Sequence, residues 1–390
     1  MSQRLLGPLD IARKIATDIA APHAASVDAE ARFPMEAITA LKDAGLLSLL
    51  IPTDLGGPGQ GFPEILAICY LLGRCCASTA MIYAMHQIQL ACILLHGRAV
   101  GWHEQFLRRI HADQLLLASA TTEAGVGGDL SRSVCAIARD GDRFSLEKLG
   151  TVISYGDHAD AVLITSRPNA EAPATDQVIV AALKEQCRLE RTAGWDALGM
   201  RGTCSNGYRL RAQGHVDQIL PEPYADISSR TMVPVSHLAW ASLWLGIATD
   251  AASRARNFMR RQAQPAPAAP GMNAMRLAEA VSLLQAMRAN VVQGSRHYED
   301  ALKTSDGTTA LSFAIMMNNI KTSTSERAVQ VINQALMVCG IAGYRNDTPF
   351  SLGRHLRDAH SAALMVNNDR ITANTASLLR VHKLDGDLFD

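Results

Sequence analysis

The stretch LLLASATTEAGVGGD, residues 115–129, is where the chain changes texture. Before it, apolar residues recur at helical spacing. Met35, Ile38 and Leu41 share one stripe, and it ends at Gly45, a residue type suited to the left-handed position just past a helix. A loop rich in glycine and proline follows from Pro52 to Gly61, and Phe62-Pro63-Glu64 reads as a new helix start, because proline fits a first helical turn. Two further helices are predicted to run to Ile110.

From Leu115 to about Pro221 the apolar runs are short, as in Leu115–Ala120, Val162–Ile164 and Val178–Leu183, and turn residues separate them. These runs read as strands, with Asp140-Gly141-Asp142 as a hairpin turn where glycine accepts the positive φ a tight turn requires. From Val235 the helical period returns, with Leu277, Val281, Leu284 and Met287 on one stripe, and continues to about Arg380. The Pro/Ala-rich stretch Gln262–Gly271 reads as a loop between two long helices. Helices, then strands, then helices imply segregated layers: an α+β, mainly α chain with an N-terminal helical domain at 1–115, a middle β domain at 116–221 and a C-terminal four-helix bundle at 222–390. No internal repeat is visible. The glycine cluster Gly125-Val126-Gly127-Gly128 is not spaced as a dinucleotide fingerprint and has no phosphate-loop lysine, so a Rossmann reading is disfavoured.

Composition narrows the partner. The 37 basic and 37 acidic residues cancel among 390, which leaves no excess for a nucleic-acid surface and points to a small molecule. The eight cysteines show no Cys-x-x-Cys pair and lie mostly in apolar stretches, so they read as reduced core residues and no metal site is expected. The N-terminus shows no signal-peptide pattern and no apolar run approaches the roughly 20 residues a bilayer span needs, so the expectation is a cytoplasmic protein without a membrane partner.

Five groups of residues, in order along the chain, carry a resemblance. They are Phe33-Pro34 through Gly56-Gly57; Cys76-Ala77-Ser78-Thr79-Ala80; Thr122-Glu123-Ala124-Gly125-Val126-Gly127-Gly128-Asp129; Gly194-Trp195-Asp196 through Gly199-Met200-Arg201-Gly202-Thr203; and Gly340-Ile341-Ala342-Gly343-Tyr344 with Arg357-Asp358-Ala359. Together they resemble the acyl-CoA dehydrogenase family over nearly the whole chain. The resemblance implies an FAD-dependent oxidoreductase, usually a homotetramer, with a dimer or tetramer expected here. It implies Thr122 at the flavin ring, Ser154 at its reactive edge, and Gly127, Arg261 and Asn368 as further cofactor-binding positions. Neutral hydroxyls suit a flavin edge, since they tune reduction without placing a charge there.

The chain also departs from the family pattern. Val152 stands where tryptophan is common, Gly128 where serine is common, and Gln262-Ala263-Gln264-Pro265 after Arg260-Arg261 where the family has an Arg-x-Thr-Phe-Gly stretch at the pyrophosphate. The family's catalytic glutamate would fall near Val366, in Ala363–Asn368, or in some members near Ser236, and neither place holds a carboxylate. His237, His360 and His86 become the candidate bases, because an imidazole's ordinary pKa lies near working pH. Three functions are compatible with these residues. One is α,β-dehydrogenation of an acyl thioester with a displaced base and an electron acceptor. Another is oxygenation of a small substrate by reduced flavin from a partner reductase, and the third is a non-catalytic member of the same fold.

Overall fold

The computed structural model describes residues 6–262, 271–304 and 306–383. Most of the expected Gln262–Gly271 loop, including Ala263-Gln264-Pro265, lies outside the described residues. In chain order the elements are α1 (Pro8–Lys14), α2 (Ala21–Ala29), α3 (Met35–Asp43), α4 (Phe62–Gly73), α5 (Ala77–His96) and α6 (Gly101–Asp113), then the strands β1 (Leu117–Ala120), β2 (Ala138–Asp140), β3 (Arg143–Ile153), β4 (Ala161–Ser166), β5 (Val178–Leu183), β6 (Cys187–Ala193) and β7 (Asn206–His215). The helices α7 (Tyr224–Ile227), α8 (Val233–Gln262), α9 (Met272–Ala301), α10 (Leu311–Cys339), α11 (Ile341–Tyr344), α12 (Gly353–Leu364) and α13 (Asn368–Leu378) follow. Helical, β and helical blocks appear in the expected order.

Residues 1–68, 78–197 and 201–236 form one compact unit, and residues 69–77, 198–200 and 237–390 form a second. In the first unit a three-stranded sheet runs β1-β4-β5, with β1 parallel to β4, and a four-stranded antiparallel sheet runs β2-β3-β7-β6. Alternation along β3 is regular from Arg143 to Gly150, exposed then buried, as period-two side chains on a half-buried strand require. It breaks at Thr151 and Val152, two successive exposed residues opposite a single step on β7, where the register slips between Gly150 and Ile153. That is a β-bulge, a device that re-aims side chains. The β2–β3 hairpin turns at Gly141, φ +57°, and Gly45 past α3 sits at φ +72°, both left-handed as expected.

In the second unit α8, α9 and α10 close on one another at Gly294, where a Cβ would come within 2.3 Å of Ile320 and 2.9 Å of Leu238. A larger residue there would force the helices apart. The α9 stripe is looser than the periodicity implies: Met287 is buried, but Val281 is exposed together with Met272 and Met275. The C-terminal helices also begin earlier than Val235. A continuous helical path starts at Tyr224 and passes through a π turn at Ser228–Met232 into α8, with a proline at 234 inside it. A further correction concerns apolar length. The helices Ala77–His96 and Tyr224–Gln262 are long and apolar enough to cross a bilayer by length and composition, yet they are mostly buried within the fold, where core helices take the same composition. All eight cysteines are free; Cys75, Cys187 and Cys204 are only partly buried.

Candidate flavin edge and the C-terminal turn

The bulge in β3 leaves a backbone N–H and C=O at Val152 without ladder partners, and Thr122 takes both. Its hydroxyl donates to the Val152 carbonyl at 2.7 Å and accepts from the Val152 N–H at 3.1 Å. The single hydroxyl proton of Thr122 is therefore committed, and only a lone pair or its backbone remains for a ligand. Next to it, Glu123 is buried and accepts from the Ser133 hydroxyl at 2.7 Å and from the N–H groups of Cys135 and Val134 at 2.7 and 3.2 Å. Lys148, wholly buried on β3, lies 3.4 Å from that carboxylate and donates to the carbonyl and hydroxyl of Thr165. Burial pushes the Lys148 ammonium below its usual range, against the pull of Glu123. The loop between them carries Gly125, Gly127 and Gly128, all at positive φ, and a Cβ at Gly125 or Gly127 would meet open space.

Beyond the bulge, Ser154 is nearly buried and shares a hydrogen bond of 2.8 Å with Ser205, which in turn lies 2.7 Å from the Thr203 hydroxyl. Tyr155 follows in a left-handed conformation, φ +44°, held by its N–H on the Thr203 carbonyl and by its phenol on the Leu117 carbonyl at 2.8 Å. Neutral hydroxyls, a glycine loop with open space at the Cβ positions of Gly125 and Gly127, and the exposed apolar Val152 make a set of groups that fits the edge of a flavin ring.

The three histidines differ sharply. His86 donates from Nε2 to the Leu47 carbonyl at 2.7 Å and accepts at Nδ1 from the Leu117 N–H at 3.0 Å, so no lone pair is left for a substrate proton. Burial lowers its pKa to about 4. His237 is buried in the second unit and donates from Nδ1 to the Met317 carbonyl at 3.1 Å, which leaves the lone pair on Nε2. Burial, and then the charge of Lys321, lower its pKa to about 3. His360 is exposed on α12.

In the same unit the Arg357 guanidinium donates to the Leu198 carbonyl at 3.0 Å and the Asp358 carboxylate accepts from the Met200 N–H at 2.7 Å, which ties two of the sequence landmarks together. Between α12 and α13 the chain passes through Val366 at φ +50° and Asn367 at φ +31°, and the Asn367 side chain caps α13 by accepting from the Asp369 N–H. Asn368 turns inward: its Oδ1 accepts from Lys321 at 2.7 Å and its Nδ2 donates to Ser325 at 3.0 Å, so its amide is engaged inside the bundle. Burial lowers the Lys321 pKa to about 8. Arg261 is exposed, with its guanidinium over the Phe350 ring at 5.3 Å. Ser236, the other place a base would fall, donates to the Met232 and Val233 carbonyls. Among the described residues no group of three or more His, Cys, Asp or Glu side chains is arranged to hold a metal ion.

Reading by motif missed Ser205, Lys148 and Lys321. For Lys148 the signal was present, since the period of Phe144, Leu146, Lys148 and Gly150 puts the lysine on the inward face. Ser205 lies two residues past a quoted landmark, the spacing that returns a side chain to one face of an extended segment.

The chain is similar over almost its full length to known proteins. It is 26% identical over 370 residues to the cyclohex-1-ene-1-carbonyl-CoA dehydrogenase of Geobacter metallireducens, covering 93% of this chain and 94% of that one. Its fold matches the butyryl-CoA dehydrogenase of Megasphaera elsdenii with a TM-score of 0.81 at 19% identity, covering 97% and 100% of the two chains. It also matches the FMN-bound dibenzothiophene monooxygenase of a Paenibacillus species with a TM-score of 0.84 at 17% identity, covering 98% and 99%. Residues 8–110 match the acyl-CoA dehydrogenase N-terminal domain and residues 230–373 the acyl-CoA dehydrogenase C-terminal domain, so the chain belongs to the acyl-CoA dehydrogenase family of flavin-dependent oxidoreductases.

Proposed function

We propose that the protein is an FAD-dependent enzyme that introduces an α,β double bond into an acyl thioester, with a group other than glutamate taking the α proton. The observation that carries this reading is the edge at Thr122–Gly128 and Ser154. There Thr122 is tied to Val152, Glu123 gathers the N–H groups that follow the glycine loop, and Ser154 is bonded to Ser205, in a chain whose residues 8–110 and 230–373 match the family. A flavin bound at such an edge supplies the hydride acceptor. The chain's own part is to orient that ring and to place a proton acceptor. His86 is unsuited, because both of its ring nitrogens are bonded. His360 is exposed and remains open, whereas His237 keeps a lone pair on Nε2 but is buried with its pKa lowered to about 3, which makes it the weaker base.

The test is to titrate the purified protein with FAD and FMN, then mix the holoprotein anaerobically with a panel of acyl-CoAs and an electron acceptor. Loss of the flavin's visible absorbance with at least one thioester is expected, and no loss with any of them counts against the reading. His237→Gln and His360→Gln then separate the two candidates: a loss on the order of 10²–10⁴ in turnover at one of them identifies the base. The exposed apolar residues Met337, Ile341 and Tyr344 at the end of α10 and in α11 support assembly into a homo-oligomer, a dimer or tetramer.

A second reading is favoured by the composition of residues 363–368, which contain no carboxylate. In it the protein is a monooxygenase that takes reduced flavin from a partner reductase. Turnover that requires dioxygen and an external reductase selects this reading over the first.

A further inference from the structure

The helix α12 starts at Gly353 without a cap. Its N-cap residue is Leu352, no side chain bonds the first turn there, and that turn holds no acidic residue. The Leu352 N–H bonds the Gly343 carbonyl and the Leu356 N–H closes on Leu352, but the N–H groups of Gly353, Arg354 and His355 have no protein acceptor among the described residues. A helix start of this kind carries partial positive charge and unused donors, which a side-chain oxygen or an anion ordinarily meets.

Two side chains of the same turn are incomplete, and side chains on a helix lean toward its start. His355 is 5% exposed; its Nε2 bonds Asp250 at 2.8 Å, while its Nδ1 is buried without a partner. Arg354 donates from Nη2 to the Cys75 carbonyl at 3.2 Å, while its Nη1 is buried and unpartnered, as is Nε of Arg74, the residue before Cys75. The helix α8 forms the facing wall. Gly246, Asp250 and Arg254 recur every fourth residue and so share one face, and a Cβ at Gly246 would meet the Tyr70 carbonyl at 2.4 Å and the Arg74 backbone nitrogen at 3.0 Å. Arg254 donates to Asp250 at 2.8 Å and to the Ser351 carbonyl, just before α12, at 3.1 Å. Asp250 and Arg354 both act on the Cys75 thiol and on the His355 imidazole, so these groups share one neighbourhood, all of it within the second unit. Three guanidinium groups meet one carboxylate there, and His355 and Arg254 already bond it.

We propose that the start of α12, with Arg354, His355 and Arg74, binds a phosphate group. Phosphate oxygens suit backbone N–H groups at a helix start and the planar fork of a guanidinium. His355 narrows the class further. Burial opposes ionisation of Asp250, but its bonds from His355 and Arg254 outweigh this and hold the carboxyl well below the usual range. A carboxylate only accepts, so His355 Nε2 carries the proton. Burial lowers the His355 pKa and keeps the ring neutral, which leaves a lone pair at Nδ1. Monohydrogen phosphate offers an O–H to that lone pair and oxygens to the donors, whereas sulfate has no proton to offer at neutral pH. Such a site needs no flavin, although a nucleotide's phosphate has the same chemistry as free phosphate.

The experiment is calorimetric titration with inorganic phosphate, in a buffer free of phosphate and sulfate, of the protein stripped of flavin and of the same protein saturated with FAD. Saturable binding is expected in the stripped form, with sulfate weaker by about tenfold for the bond it cannot make. Arg354→Gln should weaken phosphate by about tenfold or more, since it removes a charge-assisted bond, and Arg74→Gln by less. Arg74→Gln decides the matter if Arg354→Gln does not fold, because the Arg74 guanidinium is held among the described residues only by the Tyr70 ring, at 5.8 Å. Arg288→Gln removes an equal charge from the other guanidinium over Tyr70 and should leave the affinity unchanged. Equal phosphate binding with and without FAD assigns the site to a separate phosphate. Binding lost on FAD saturation, with Arg354→Gln weakening FAD but not riboflavin, assigns it to the cofactor's own phosphate. No saturable phosphate binding in the stripped protein overturns the site, as does an equal loss in Arg354→Gln and Arg288→Gln.

Discussion

The Thr122–Ser154 edge holds one of the family landmarks and the Val366–Asn368 turn holds none, and the two are built differently. At the edge Thr122 and Glu123 also secure backbone: Thr122 satisfies the bulge at Val152, and Glu123 gathers the N–H groups of Val134 and Cys135. At the turn the backbone path is held by an asparagine cap and a lysine–asparagine contact, and residues 363–368 contain no carboxylate. A residue that supports the fold as well as the chemistry is costly to replace. One that only reacts can be lost while the fold stays intact.

The comparison breaks first at the Glu123–Lys148 pair. If Glu123 is structural as well as positional, Glu123→Gln or Lys148→Met strands a buried charge, and stability should fall by about 3–5 kcal/mol. Denaturant unfolding measures this. The double variant Glu123→Gln/Lys148→Met should recover much of the loss, since it removes both charges. Single variants that cost under about 1 kcal/mol would show that the loop does not depend on the pair.

A smaller effect concerns histidine. The folded pKa of His86, about 4, lies below the value of roughly 6.5 for an unfolded histidine, so the unfolded chain takes up the proton first. The stability from neutral His86 is present above pH ~6.5 and is lost as pH falls toward 4, on the order of 3 kcal/mol in all. His237, depressed to about 3, adds a slope of the same sign that extends lower. Urea midpoints between pH 7.5 and 4.5 should therefore fall with acidity in the wild type and fall less in His86→Gln. Equal slopes in the two proteins would mean His86 is not held neutral.

Legibility in the sequence follows the same division. The helix–strand–helix order and the turns at Gly45 and Gly141 were readable because periodicity and positive-φ glycines are local properties. Thr122 could be singled out, but not its bond to Val152, because a bulge at residues 150–153 depends on the register with β7. The start of the C-terminal helices at Tyr224 was missed because Pro234 suggests a boundary, whereas a π turn just before it carries the helical path through. His86 could not be told from a catalytic histidine by sequence. Its two partners, Leu47 and Leu117, come from segments 39 and 31 residues away.

The smallest expected effect sharpens the contrast between two left-handed residues. Val366 sits at φ +50° and Tyr155 at φ +44°, a conformation costing an L-residue roughly 1–2 kcal/mol, with a β-branched side chain among the worst suited. Tyr155 is wholly buried, and its phenol bonds the Leu117 carbonyl, so packing compensates for the strain. Val366 is 37% exposed and has less to offset it. Glycine adopts the left-handed region freely but loses about 0.5–1 kcal/mol of chain entropy on folding. Val366→Gly should therefore stabilise the protein by about 0.5–1 kcal/mol, the difference between strain relieved and entropy lost. Thermal unfolding of the variant beside the wild type reads this directly. A destabilised variant would mean that the valine side chain makes contacts strong enough to hold the turn strained, and the turn would then resemble the Tyr155 edge.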